Sequence, residues 1–268
     1  MHVFNVMCPS SVTIYLNGSN DNEKIVRVID TIDVYDEIEV IVSSKSMVSK
    51  IYLNGILLIG NNLITKAINS FFNYTKLPPH GVWVEIDKKV PYQLDSNSLD
   101  SIAAGVILSL NMYYHLNLSD KDLYEIATYV SLDVYYYIVG GYHKIKSNND
   151  MVYHNKSIHD SYLIAVSKSK DNWSEGINID DFQSDVSYNN RFYNCLEQMA
   201  PDELRELKDK LLELKADKVC INGINNSIVA HFYNHHDRFK AKEELKKQKV
   251  KSLVVQPCDG IKIRHRYI

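Results

Sequence analysis

The sequence predicts an α+β protein in two halves, and three observations carry that prediction. Short runs in which apolar residues alternate with period two are interleaved with longer runs in which they recur at i, i+3 and i+4, so strands and amphipathic helices follow one another. A polar, mixed stretch, YHKIKSNNDMVYHNKSIHD (142–160), interrupts the pattern at mid-chain and places a boundary near residue 150, giving units 1–150 and 151–268. With 268 residues, 45% of them hydrophobic, the chain has enough apolar material to bury a substantial core.

In the first unit, residues 3–7 and 12–16 read as strands, and IVRVIDTIDVYDEIEVIV (25–42) as two strand-like runs split near Asp36, reached through the polar turn NGSNDNEK. NNLITKAINSFFNYT (61–75) sets Leu63, Ile64, Ala67, Ile68, Phe71 and Phe72 on one helical face, and GVWVEIDKKV (81–90) returns to alternation. From Ser101 a helical pattern resumes through Ile102, Val106, Ile107, Leu110 and Tyr114. LSDKDLYEIATYV (118–130) carries Ser119 as an N-cap and Asp122 at N3 ahead of an apolar face, the signature of a capping box. DVYYYIVGG (133–141) reads as a buried strand ended by a glycine pair, its tyrosines alternating between core and surface.

The second unit opens with a strand at SYLIAVS (161–167), then a polar loop and a helical stretch over 186–199. PDELRELKDKLLELKA (201–216) is an amphipathic helix with Pro201 where a first-turn N–H is dispensable. KVCINGINNSIVAHFYN (218–234) reads as two short strands around a turn, HHDRFKAKEELKKQK (235–249) as a helix and SLVVQP (252–257) as a strand.

Charge excludes some functions. Lys and Arg total 30 against 33 Asp and Glu, a net charge of −3, so no global basic field draws nucleic acid or an anionic membrane. No apolar run is long enough to span a bilayer, the N-terminus lacks signal-peptide regions, and the expected location is the cytoplasm. Cys8, Cys195, Cys220 and Cys258 stand far apart without CxxC spacing and read as small core residues rather than a zinc site or a disulfide framework. His235 and His236 adjoin without an HExxH pattern, and KAKEELKKQKVK (240–251) mixes both signs as a solvated helix face does.

The chemically suggestive stretch is KKVPYQLDSNSLDSIAAGVILSLN (88–111): a basic strand end, a polar loop, then an apolar helix, the layout of a nucleotide-phosphate loop but with no glycine before Gly105. The chain has ten glycines, about half the usual 7% share. Read locally, Ser98, Asp100 or Ser101 caps the helix, and Lys88 and Lys89 are either phosphate donors or a solvated strand end.

In order and spacing these landmarks resemble the GHMP kinase superfamily, and most closely the 4-diphosphocytidyl-2-C-methyl-D-erythritol kinases of non-mevalonate isoprenoid synthesis. CPSSVTIYLN (8–17) resembles that family's opening Ala-Pro-Ala-Lys-Ile-Asn-Leu strand, and NNLITKAINSF its Asp-Asn-Leu-Ile helix. Counting from Pro91, its Gly-Leu-Gly-Gly-Gly-Ser-Ser loop falls on Asp95, Ser96, Asn97, Ser98, Leu99, Asp100 and Ser101, ahead of Ala103 and Ala104. Residues 116–141 resemble its Leu-Asn-Leu-Ser helix and Asp-Val-Pro-Phe-Phe segment, which puts the family's catalytic aspartate on Asp133. INGINNSIVAHF (221–232) resembles its late glycine loop, with Gly223 keeping one glycine.

The resemblance implies a two-domain GHMP kinase fold, a ribosomal-protein-like α/β domain followed by a ferredoxin-like one, and ATP and Mg used to phosphorylate a hydroxyl of a small molecule. It also marks departures. Ser11 stands at the family's lysine position and Thr13 at its asparagine, and the Gly-Tyr-His segment that holds cytidine has no counterpart in NGSNDNEKIV. Leu99 brings a side chain to a spot reserved for bare backbone. A carboxylate about 4 Å from a phosphate charge costs about 4 kcal/mol at an effective dielectric near 20, which counts against Asp95 and Asp100 unless Mg²⁺ intervenes. Two functional expectations follow: a kinase that is weak or inactive, with Asp133 still serving the substrate hydroxyl, or a catalytically silent module that binds a protein partner. Asp133 also reads as a purely structural, ion-paired or cap-like residue, and Ser11 as a small strand residue.

Overall fold

A computed structural model describes residues 2–16, 25–43, 48–91, 98–146, 151–155, 161–166, 200–222 and 227–267. Two long antiparallel strands, β1 (His2–Leu16) and β2 (Ile25–Ser43), form its spine. Residues 25–42, expected as two strands, are one. Asp36 lies inside β2, and the phase break there is a bulge: Pro9 pairs with Tyr35 but Ser10 with Ile32. Extra residues on one strand switch the side-chain phase without ending the strand.

Strand β5 (Gly81–Asp87) lies beside the second half of β2, and β3 (Lys50–Leu53) joins β5 in parallel, followed by the short β4 (Ile56–Leu57). Strand β6 (Tyr142–Lys146) pairs with the first half of β2 and with β7 (Met151–Asn155), while β12 (Lys262–Tyr267) returns to the far side of β1. Among the described residues the path runs β12-β1-β2-β5-β3-β4. Helices α1 (Leu63–Thr75), α2 (Ser98–Tyr113), α3 (Asp120–Thr128) and α4 (Leu132–Val139) pack into one core with the inward residues of these strands, such as Phe4, Val6, Ile38, Val40, Val84 and Ile86.

Helix α2 is the central one. Ile102 through Ile107 are all buried, and Gly105 lets the helix touch β1, since a Cβ there would stand 2.9 Å from the Cys8 sulfur and 3.1 Å from Val6. Helix α3 starts as the sequence predicts: Ser119 Oγ accepts the Asp122 N–H, and the Asp122 carboxylate accepts the Ser119 N–H. The strand expected at 133–141 is a helix, α4. Ser131 caps it by accepting the Asp133 N–H, and Gly140 ends it at φ +64°. Tyr135, Tyr136 and Tyr137 are all buried, which an alternating strand could not arrange for three neighbours.

The second sheet runs β11-β8-β10-β9, all antiparallel, from β8 (Tyr162–Val166), β9 (Lys218–Asn222), β10 (Ser227–His231) and β11 (Lys251–Val255). Leu204, Leu207 and Leu211 of helix α5 (Asp202–Glu213) and Ala241 and Leu245 of α6 (His235–Lys247) build its core. The helix expected at 186–199 lies outside the described residues. A third apolar cluster joins the two sheets, with Val12, Ile14, Val28 and Ile32 against Tyr162, Ile164, Val229 and Val255. Among the described residues no helix is long and apolar enough to cross a membrane.

Candidate functional site

The bulge that bends β2 turns the Asp36 side chain into the body of the protein, where it is 1% exposed. A carboxylate so placed needs compensation, and the turn after β5 supplies it. Asp36 Oδ1 accepts the backbone N–H groups of Lys89 and Val90, both at 2.8 Å, and Oδ2 accepts from Lys88 Nζ at 2.9 Å. The same ammonium donates to Ser98 Oγ at the first residue of α2. Lys88 is therefore not a solvated strand end: it ties the basic KKVP segment to the start of the helix. Cys8 lies beside this pair, its thiol pushed well above the ordinary range by burial first and the Asp36 charge second.

The first turn of α2 presents what the sequence placed at the phosphate loop. Ser98, Asp100 and Ser101 are buried, while Leu99 is 40% exposed. The Ser101 hydroxyl has no hydrogen-bond partner among the described residues. Asp100 puts a carboxylate in the turn where the helix dipole favours negative charge, which stabilises the helix start and competes with an anion for the same place. Asp95, Ser96 and Asn97 lie outside the described residues, as does Gly223.

Ser11 and helix α4 come together. Ser11 Oγ is 2.8 Å from the hydroxyl of Tyr137, a neutral hydroxyl pair at the residue the sequence aligned with the family's lysine. Asp133 sits in the first turn of α4, partly exposed, one helical turn before Tyr137 and so on the same face. The Ser11 hydroxyl and the Tyr137 phenol thus meet between β1 and α4.

Sequence reasoning missed Asp36 and Tyr137. The signal for Asp36 was a lone carboxylate within an apolar strand run, and for Tyr137 its i+4 spacing from Asp133. For a nucleotide, the described residues offer one ammonium and two hydroxyls but also a buried carboxylate and a leucine side chain. An unaided triphosphate grip needs close approach of backbone N–H groups.

In sequence the chain is 28% identical over 209 residues to 4-diphosphocytidyl-2-C-methyl-D-erythritol kinase of Thermodesulfovibrio yellowstonii, spanning 68% of this chain and 72% of that enzyme. Matches to enzymes of the same name from Thermoanaerobacter pseudethanolicus (31% identity, 44% of this chain) and Clostridium tetani (29%, 52%) span only 40% and 49% of their lengths. No protein-family profile matches the chain. In structure it superposes on mevalonate pyrophosphate decarboxylase from Streptococcus pyogenes with a TM-score of 0.67 at 14% identity, covering 96% of this chain and 97% of the other. It superposes on a 4-(cytidine 5'-diphospho)-2C-methyl-D-erythritol kinase with a TM-score of 0.63 at 16% identity, covering 95% of this chain and all of the other.

Proposed function

We propose that the chain, 28% identical over 68% of its length to one such enzyme and sharing the α+β fold of the superposed structures, is a divergent homologue of the 4-diphosphocytidyl-2-C-methyl-D-erythritol kinases in which phosphorylation of a small-molecule hydroxyl is weak or lost. On this reading the chain is two units dividing near residue 150, of which the second returns β7 and β12 to the large sheet. The observation that carries the reading is the Ser11–Tyr137 hydrogen bond at the position of the family's lysine. A neutral hydroxyl pair does not neutralise charge on a transferring phosphoryl group as an ammonium would. Asp100 and Leu99 at the start of α2 support the same conclusion. If the chain turns over, Asp133 accepts the substrate hydroxyl proton, and ATP with Mg supplies the phosphoryl group. The loss of the cytidine-holding segment means that the substrate need not carry cytidine.

A second reading, a silent module that binds or assembles with protein, is favoured by the closure of Asp36, Lys88 and Ser98 on one another. Titration calorimetry with Mg-ATP and with a cytidine nucleotide, beside a phosphoryl-transfer assay, tests both. Binding with slow turnover that Asp133→Asn abolishes supports the divergent kinase; no heat and no turnover at millimolar nucleotide supports the silent module. Turnover at ordinary kinase rates refutes both.

A further inference from the structure

The face of the large sheet carrying Asn5, Glu39 and Glu85 has a pattern that the cleft does not use. Residue pairing sets side chains in rows across β12, β1, β2 and β5. One row is Arg264, Asn5, Glu39, Glu85, and the next is Lys262, Met7, Glu37, Asp87. Basic residues thus lie on the outermost strand and acidic ones on the third and fourth, with the uncharged Asn5 and Met7 on β1 between them. A depression of about 370 Å³ lies along β1 on this face. Lys89 already holds Glu37 and Asp87, at 2.7 and 3.4 Å. No ion pair among the described residues engages Arg264, Glu39 or Glu85, and all three are exposed.

We propose that this face is a self-complementary docking surface for a second copy of the same chain. A two-fold axis lying in the interface, parallel to the strands and midway between β1 and β2, sets β12 of one copy over β5 of the other. The same operation sets β1 over β2. Each row then meets its own counterpart reversed. Arg264 opposes Glu85 of the other copy, Lys262 opposes Asp87, and Asn5 opposes Glu39. Every contact occurs twice, as an isologous interface requires. In the following row Arg266 comes over the Trp83 ring, which is 43% exposed. The two rows carry both signs in one chain, so each of their basic residues on β12 meets an acidic residue of the other copy.

The patch spans about 14 Å between the centres of its outer strands, at about 4.8 Å per strand. That is small for a permanent interface, so association belongs in the micromolar range and depends on salt. The proposal does not rest on the kinase reading, because neither Arg264 nor Glu85 belongs to the cleft.

The test is sedimentation of the full chain from low to high micromolar concentration, at about 0.05 M and about 0.5 M salt. A dimer that weakens at the higher salt is expected. R264E and E85R should each weaken it about tenfold or more, because each sets like charges opposite one another. The double variant R264E/E85R, and an equimolar mixture of the two single variants, should recover the dimer, since both arrangements oppose unlike charges at both contact points. Thermal midpoints of the variants confirm folding, and the mixture provides the same control in one tube. A monomer throughout, a dimer indifferent to both substitutions and salt, or a mixture that fails to associate would each overturn the proposal. A lysine-rich or acidic peptide that binds the monomer on this face, while the chain itself never pairs, would overturn it as well.

Discussion

Lys88→Met asks how much of the site's order depends on one buried charge pair. The Lys88 side chain is 20% exposed and Asp36 only 1%, with 2.9 Å between charged atoms. Breaking a buried pair from one side costs about 3–5 kcal/mol, because the remaining charge is stranded in a poorly solvating place. Two backbone N–H groups still reach Asp36 in the variant, and the opening beside Lys88 admits some water, which sets the expectation near the lower end, about 3 kcal/mol. Methionine keeps most of the apolar stem, so little of the loss is packing. In a chain of this size that corresponds to a fall of about 6–12 °C in the thermal midpoint. Asp36→Asn should cost less, because the ammonium it leaves behind can turn toward solvent. The double variant, measured by urea unfolding, should be more stable than the sum of the two losses allows, with a coupling of about 2 kcal/mol. A coupling under about 0.5 kcal/mol would show that Lys88 is a solvated strand end after all and that Asp36 is satisfied by the backbone alone.

Two further outcomes are expected. Gly140→Ala should destabilise by about 3 kcal/mol or more in the same unfolding assay, because φ is +64° and a Cβ would stand 2.6 Å from Gly260 Cα, with backbone on both sides; a loss under about 1 kcal/mol would mean that the C-terminal segment shifts freely. The Ser119 hydrogen bonds, with one from Tyr74, hold the Asp122 carboxyl below its ordinary range. Its folded value is depressed, so its contribution is present above the ordinary carboxylate pKa of about 4 and is lost as pH falls through the folded value. The midpoint difference between the native chain and Asp122→Asn should therefore be open at pH 6 and close in acid; a gap that widens in acid would refute the assignment.

What the sequence made legible was mostly local. Helix α3 could be read because Ser119 and Asp122 lie three residues apart and satisfy each other's backbone groups. Helix α5 could be read from its leucines, which the core then buries. Helix α4 was misread because a run of eight residues, all apolar but Asp133 and rich in tyrosine and valine, suits a buried strand equally well, and length does not arbitrate at that size. The decisive signals, Ser131 before the run and Gly140 after it, are helix caps that a strand does not need. Strand β12 escaped notice because the inward face of KIRHRY carries a single aliphatic residue, Ile263, beside His265 and Tyr267. It exists by pairing with a strand some 260 positions earlier, and no local pattern reports such a partner.

The site shows the same division at the level of chemistry. Its position was legible from a strand end and an apolar helix, but its state depends on Asp36, 52 positions from Lys88, and on Tyr137, 126 positions from Ser11. Those partners decide the reading. A lysine kept ready for phosphate stands in a partly dehydrated cleft without a carboxylate of its own, and that costs stability until the ligand arrives. A chain relieved of phosphoryl transfer gains by replacing such a charge with a neutral pair, and Ser11 with Tyr137 is a neutral pair. It has no reason to discard a charge already answered from within, and Lys88 with Asp36 is answered by 2.9 Å contact and by Ser98. On the proposed reading, a neutral pair at Ser11 and a charge answered from within at Lys88 follow from one condition, a cleft whose electrostatics balance without a nucleotide.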